Sequence, residues 1–210
     1  MSLKLNKYLT DLRNNANRLE RIDINGNETK SFFGKYSLRA FFSLISASFV
    51  YILNGGFSDM FISYASTVLS ILIGLFITAI IFSFDKFYKH IDPEVANSKE
   101  KLWDTQAYNY SKQFAFIIGY NIVLCIFAIV ILSFSALFKD FFGIELHRYT
   151  LCINKINLVT FTRFCKLALV AMQRFFIFYW MLRIMYNTLF VVSSMVKFMT
   201  VKIDRENDSN

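Results

Sequence analysis

Residues 60–84 contain no charged side chain, and neither do residues 113–138, giving uninterrupted runs of 25 and 26 residues. A helix rises ~1.5 Å per residue, so about 20 apolar residues cross the ~30 Å hydrocarbon core of a bilayer. Both runs exceed that length. Lipid offers no hydrogen bonds to the backbone, which leaves the helix as the conformation that satisfies each run internally. Composition points the same way. Hydrophobic residues make up 55% of the 210-residue chain and charged residues 18%, with 25 Phe; a typical soluble domain carries roughly 25% charged residues. Disordered chains are poor in apolar and aromatic residues, so that class is excluded. No repeat of solenoid period occurs, and three Cys do not make a disulfide scaffold. The sequence predicts an all-α polytopic membrane protein.

Two further spans are expected. Residues 40–58 are free of charge, but their apolar part ends at the turn Asn54-Gly55-Gly56. That span starts near Tyr36, with Arg39 snorkelling to the interface. Residues 167–196 are apolar but contain Arg174 and Arg183. A central Arg costs about 2.5 to 3.5 kcal/mol on the insertion scale, against roughly 0.3–0.6 returned by each Leu, Ile, Phe or Val. The fourth span is therefore placed at 177–196, with Arg174 at an interface and Arg183 inside. The expected organisation is a cytosolic amphipathic arm (1–35), three spans with a cytosolic helical extension at 92–112 (36–138), a loop and basic amphipathic helix (139–176), the fourth span (177–196) and a polar tail (197–210).

Orientation follows from Lys and Arg. With four spans, sixteen of them fall on the side of the termini and five on the other, in residues 139–166. Both termini are expected to be cytoplasmic. Residues 1–30 lack the apolar core of a signal peptide, so the first span is expected to act as the targeting signal. Neither position 2 nor the C-terminus carries a lipidation motif.

Leu5, Leu9, Leu12, Ala16 and Leu19 are spaced 4-3-4-3, a heptad seam on a helix from Leu3 to about Ile22. Lys4, Lys7, Arg13, Arg18 and Arg21 decorate the rest. This helix either lies on anionic lipid or pairs with a neighbouring subunit or cytosolic protein. Asp92-Pro93-Glu94 reads as a helix start, and one long helix is expected from there to Phe138. Leu102, Trp103, Gln106, Asn109, Tyr110 and Gln113 recur on it at helical spacing. That face takes either a cytosolic partner or the protein's own arm.

Chemistry-bearing patterns are few. His90 and His147 fall on opposite sides of the membrane, and CxxC, HExxH, P-loop and GxGxxG motifs do not occur. No catalytic, cofactor or metal residue is assigned, and the chain is not expected to be an enzyme. Ser66, Ser70, Gly74 and Thr78 recur every four residues on one face of the second span. Small residues at that spacing let helices approach closely, either within the chain or between subunits. Lys155, Arg163, Lys166 and Arg174 share about a third of a helix circumference; they form a basic interfacial helix that contacts lipid headgroups or lines an anion vestibule. Arg183 and Asn187, one turn apart, form an intramembrane polar spot. Cys152 and Cys165 lie on the same side and are free to pair or not.

Residues favoured by AT-rich codons (Phe, Ile, Asn, Lys, Tyr and Met) make up 95 of 210. With this bias, the multipass layout, the cytosolic helical extensions and the lack of enzymatic motifs, the chain resembles membrane subunits of bacterial anti-phage systems, of the Kiwa type or the retron-associated transmembrane effectors. The resemblance is one of layout. It implies a four-span, often oligomeric inner-membrane subunit that is coupled to a cytosolic protein and senses infection or perturbs the membrane. The competing expectation is a small channel or accessory subunit of a transport or secretion complex.

Overall fold

The computed structural model describes residues 2–22, 35–53, 55–87, 98–146 and 158–208. Six helices follow in order: α1 (Ser2–Leu19), α2 (Lys35–Ile52), α3 (Asp59–Phe87), α4 (Ser98–Leu137), α5 (Lys139–Phe142) and α6 (Leu158–Asp208). There is no β-strand among the described residues. Three helices are long and apolar enough to cross a membrane, in α3, α4 and α6. The apolar part of α2, Leu38–Ile52, is shorter, at about 22 Å by helical rise.

The local signals account for several boundaries. The α3 N-terminus is capped by Ser58, whose Oγ accepts the Phe61 amide at 3.2 Å, and Asp59 occupies the first turn. Before it, Gly56 turns the chain at φ +79°, a conformation that costs other residues about 1–2 kcal/mol. The Asp92-Pro93-Glu94 start of the long fourth helix lies outside the described residues. On α6 the boundaries expected at 176/177 and 196/197 do not interrupt the helix, which runs on from Leu158 to Asp208.

The chain divides into two compact units. One comprises Met1–Phe32, Ile73–Val123 and Met185–Asn210, and the other Phe33–Leu72 and Leu124–Ile184. We call them the arm unit and the turn unit. In the turn unit α2 and α6 are antiparallel: the Phe49 and Phe178 rings stack at 4.9 Å, and Leu53, four residues on, meets Arg174, four residues back. α4 and α6 are also antiparallel there, with Ser135 against Gln173 and Phe127 against Trp180 at 6.1 Å. Buried positions on α4 include Cys125, Ala128, Leu132 and Ser135. Lipid tails compete for apolar contact as well as Leu does, so close packing of small residues carries association here.

In the arm unit, Asn121 of α4 faces Asn187 of α6. α1 packs on α4 through the expected seam: Ala16 and Leu19 are buried, and Leu12 Cδ1 lies 3.4 Å from where a Cβ on Gly119 would stand. Gln113 Nε2 donates to the carbonyls of Leu19 at 2.5 Å and Ile22 at 2.9 Å. The end of α1 leaves its last carbonyls without helical partners, and a side chain from α4 supplies them. The protein's own arm thus occupies the Gln113 end of the α4 face.

Candidate functional site

Polar side chains buried in apolar helices are the residues most expected to carry function in a membrane chain. In the turn unit the main one is Arg174. Its side chain is 0% exposed. Nη1 donates to the Leu53 carbonyl at 3.0 Å, and Nη2 donates to those of Phe142 at 3.0 Å and Ile144 at 2.8 Å. The planar guanidinium fork suits this task, because it presents several donors in fixed directions. One side chain thus joins the turn before α3 to the segment after α5. The same two segments meet at Gly56, where an added Cβ would stand 3.1 Å from both Gly143 Cα and the Phe142 oxygen. Lys139 and Asp59 bridge them again at 2.5 Å, an exposed pair worth about 0–1 kcal/mol.

This corrects the expected place of Arg174 among headgroup-facing cations. The helical pattern puts it on the side of Arg163 and Lys166, but the loops fold over it and engage its donors. Arg163 is exposed. Lys166 lies 4.8 Å from the Phe141 ring centroid, in a cation–π contact. Lys155 lies outside the described residues. Arg183 is turned inward and is 3% exposed. Gln173 donates to Ser135 Oγ.

In the arm unit Asn187 Nδ2 donates to Asn121 Oδ1 at 2.8 Å. Both side chains are fully buried. Asn121 Nδ2 and Asn187 Oδ1 find no partner in the chain, so the pair makes one of the two bonds available to facing amides. Sequence reasoning marked Asn187 but missed Asn121, Gln113 and Gln173, because uncharged polar residues do not interrupt a charge-free run. The available signal was their period: Gln113, Asn121 and Ser135 fall eight and fourteen residues apart, near-multiples of the heptad.

The Ser66, Ser70, Gly74 and Thr78 face of α3 lies opposite that helix's buried line of Ile62, Ala65, Leu69, Phe76 and Ser83. Ser70, Gly74 and Thr78 are exposed, and a Cβ at Gly74 meets nothing within 4 Å. Packing of this stripe within the chain is therefore overturned at Gly74. The hydroxyls are satisfied along the helix, Ser70 donating to the Ser66 carbonyl at 2.8 Å and Thr78 to that of Gly74 at 2.9 Å.

No group of three or more His, Cys, Asp or Glu able to hold a metal occurs among the described residues. Cys125 and Cys165 are free thiols; Cys152, His90 and His147 lie outside the described residues, as does any pairing of Cys152. Comparison with protein-family models, curated proteins and solved structures returned no match.

Proposed function

We propose that this chain is a non-catalytic, multi-pass subunit of the bacterial inner membrane that associates with copies of itself and serves anti-phage defence, sensing infection or perturbing the membrane through coupling to a cytosolic protein. In this reading α2 is the fourth crossing, α3, α4 and α6 are the others, and both termini are cytoplasmic. The observation that carries self-association is the small, hydroxylated stripe of α3. It points away from the chain's own buried line, with open space at Gly74. A face of that kind lets a second helix approach closely. The defence role rests on the resemblance in layout, and Arg183 supplies the intramembrane charge that a perturbing assembly needs.

Gly74→Leu tests the association. With nothing near Gly74, the subunit keeps its own thermal stability, while overpacking of about 1–3 kcal/mol at a helix contact lowers the oligomer mass in detergent. An unchanged mass refutes the interface. Membrane potential after phage challenge tests the role, comparing wild type, Gly74→Leu and Arg183→Leu at matched protein levels. Depolarisation by wild type that both variants lose supports a perturbing assembly. No protection from phage by wild type excludes the defence reading and leaves an accessory transport subunit.

A further inference from the structure

The arm is placed where it meets lipid. Two contacts fix its direction on α4 within the arm unit. Leu12 lies against Gly119, and the Leu19 carbonyl lies against Gln113. Seven residues of α1 and six of α4 separate these contacts, about 10 Å and about 9 Å by helical rise. Helices that stay in contact over such matched lengths run antiparallel. α1 therefore heads from Gln113 toward residues 119–123, into the apolar stretch of α4 and away from its polar start at Ser98.

A charged helix cannot follow α4 into hydrocarbon, so the part of α4 covered by α1 stands at headgroup depth. The residues left to span, 120–137, are about 27 Å long by helical rise, close to the hydrocarbon thickness. At 100° per residue, Lys7 and Arg18 fall opposite the docked seam, and Lys4 and Arg13 flank it. All four are exposed, with Asp11 the exposed acid among them. At the leading end, Leu5 is 60% and Tyr8 69% exposed, although Leu5 belongs to the apolar seam. Apolar side chains open to the surroundings at the membrane-directed end, with lysines on either side of Leu5, form the pattern of a helix inserted at the headgroup boundary.

We infer that the outward face of α1 is a binding surface for anionic phospholipid, with Lys4, Lys7 and Arg18 on the phosphates and Leu5 and Tyr8 among the upper acyl carbons. Lipid bound there stabilises the docked arm by mass action. The surface is independent of self-association through α3 and of any defence role.

The test is hydrogen exchange over residues 2–22 in the full-length protein, in nanodiscs of phosphatidylcholine alone and of phosphatidylcholine with phosphatidylglycerol. A basic residue near an anionic surface contributes about fivefold. Discounted for Asp11 and for screening, three such residues should slow exchange of the arm by at least about tenfold in the anionic discs. High salt should shrink the difference. Replacement of Lys4, Lys7 and Arg18 by Gln should abolish it while leaving exchange in the neutral discs unchanged. Equal exchange of the wild-type arm in the two lipids overturns the inference, as does a full lipid effect in the triple variant. The wild-type comparison decides even if the variant folds poorly.

Discussion

Replacing Arg174 with Met removes the donors that hold two loops while keeping an unbranched side chain of similar length. Three carbonyls lose a charge-assisted bond, each worth about 1.5–3 kcal/mol, so the ceiling lies near 4.5–9 kcal/mol. Two effects lower it. The three bonds are only partly buried, so the freed carbonyls recover some hydration. The variant also escapes the cost of desolvating a cation that no acid neutralises. A loss of about 3 kcal/mol is expected, and at about 2–4 °C per kcal/mol for a chain of this size the midpoint falls by about 6–12 °C. Arg174→Lys should fall between, because an ammonium reaches one or two of the carbonyls and has no planar fork. The assay is thermal unfolding of the purified protein in detergent and again in nanodiscs, with Arg163→Gln as the exposed control on the same helix. If Arg174 were a headgroup contact, both variants would shift alike, and only in lipid. A shift below about 1 °C for Arg174→Met in both media refutes the clamp.

Other sites give shorter tests. Asn187→Ala leaves a buried amide without its partner and should cost about 1–3 kcal/mol; changing Asn121 and Asn187 together to Leu should cost less than the sum of the two single changes, read as a double-mutant cycle on melting temperature. Gly119→Ala should be tolerated, since its Cβ meets Leu12 at ordinary contact distance, whereas Gly119→Leu should displace α1 and raise hydrogen exchange over residues 2–22. Gly56→Ala combines positive φ with a Cβ 3.1 Å from two backbone atoms and should cost about 2 kcal/mol or more, seen in the same melting assay.

Much of the helical layout was legible because its signals are local. Charge-free runs placed the apolar helices, the heptad spacing of Leu9, Leu12, Ala16 and Leu19 placed the arm, and Asn54-Gly55-Gly56 placed a turn. The division of α6 was not legible, for a physical reason. An insertion scale charges each Arg as if it faced lipid on an isolated helix. Arg174 and Arg183 are instead turned into the protein, so neither ends the helix. Arg174 illustrates a second limit. Periodicity grouped it correctly with Arg163 and Lys166, but its acceptors lie 30 to 121 residues away, and no helical pattern encodes them. Gln113 was visible as a polar residue at the head of a run, while its role as a cap for α1 depends on where a distant helix ends.

The acceptors of Arg174 are all main-chain atoms, so the clamp responds to the path of the loops and not to their side chains. Leu53, Phe142 and Ile144 offer it only the carbonyl that every residue carries. Relatives of this chain are therefore free to drift at those three positions without losing the contact. What they cannot change freely is loop length. One residue inserted between Leu53 and Ser58, or between Phe138 and Ile144, moves a carbonyl out of reach, and an arginine at position 174 is then a buried charge without a purpose.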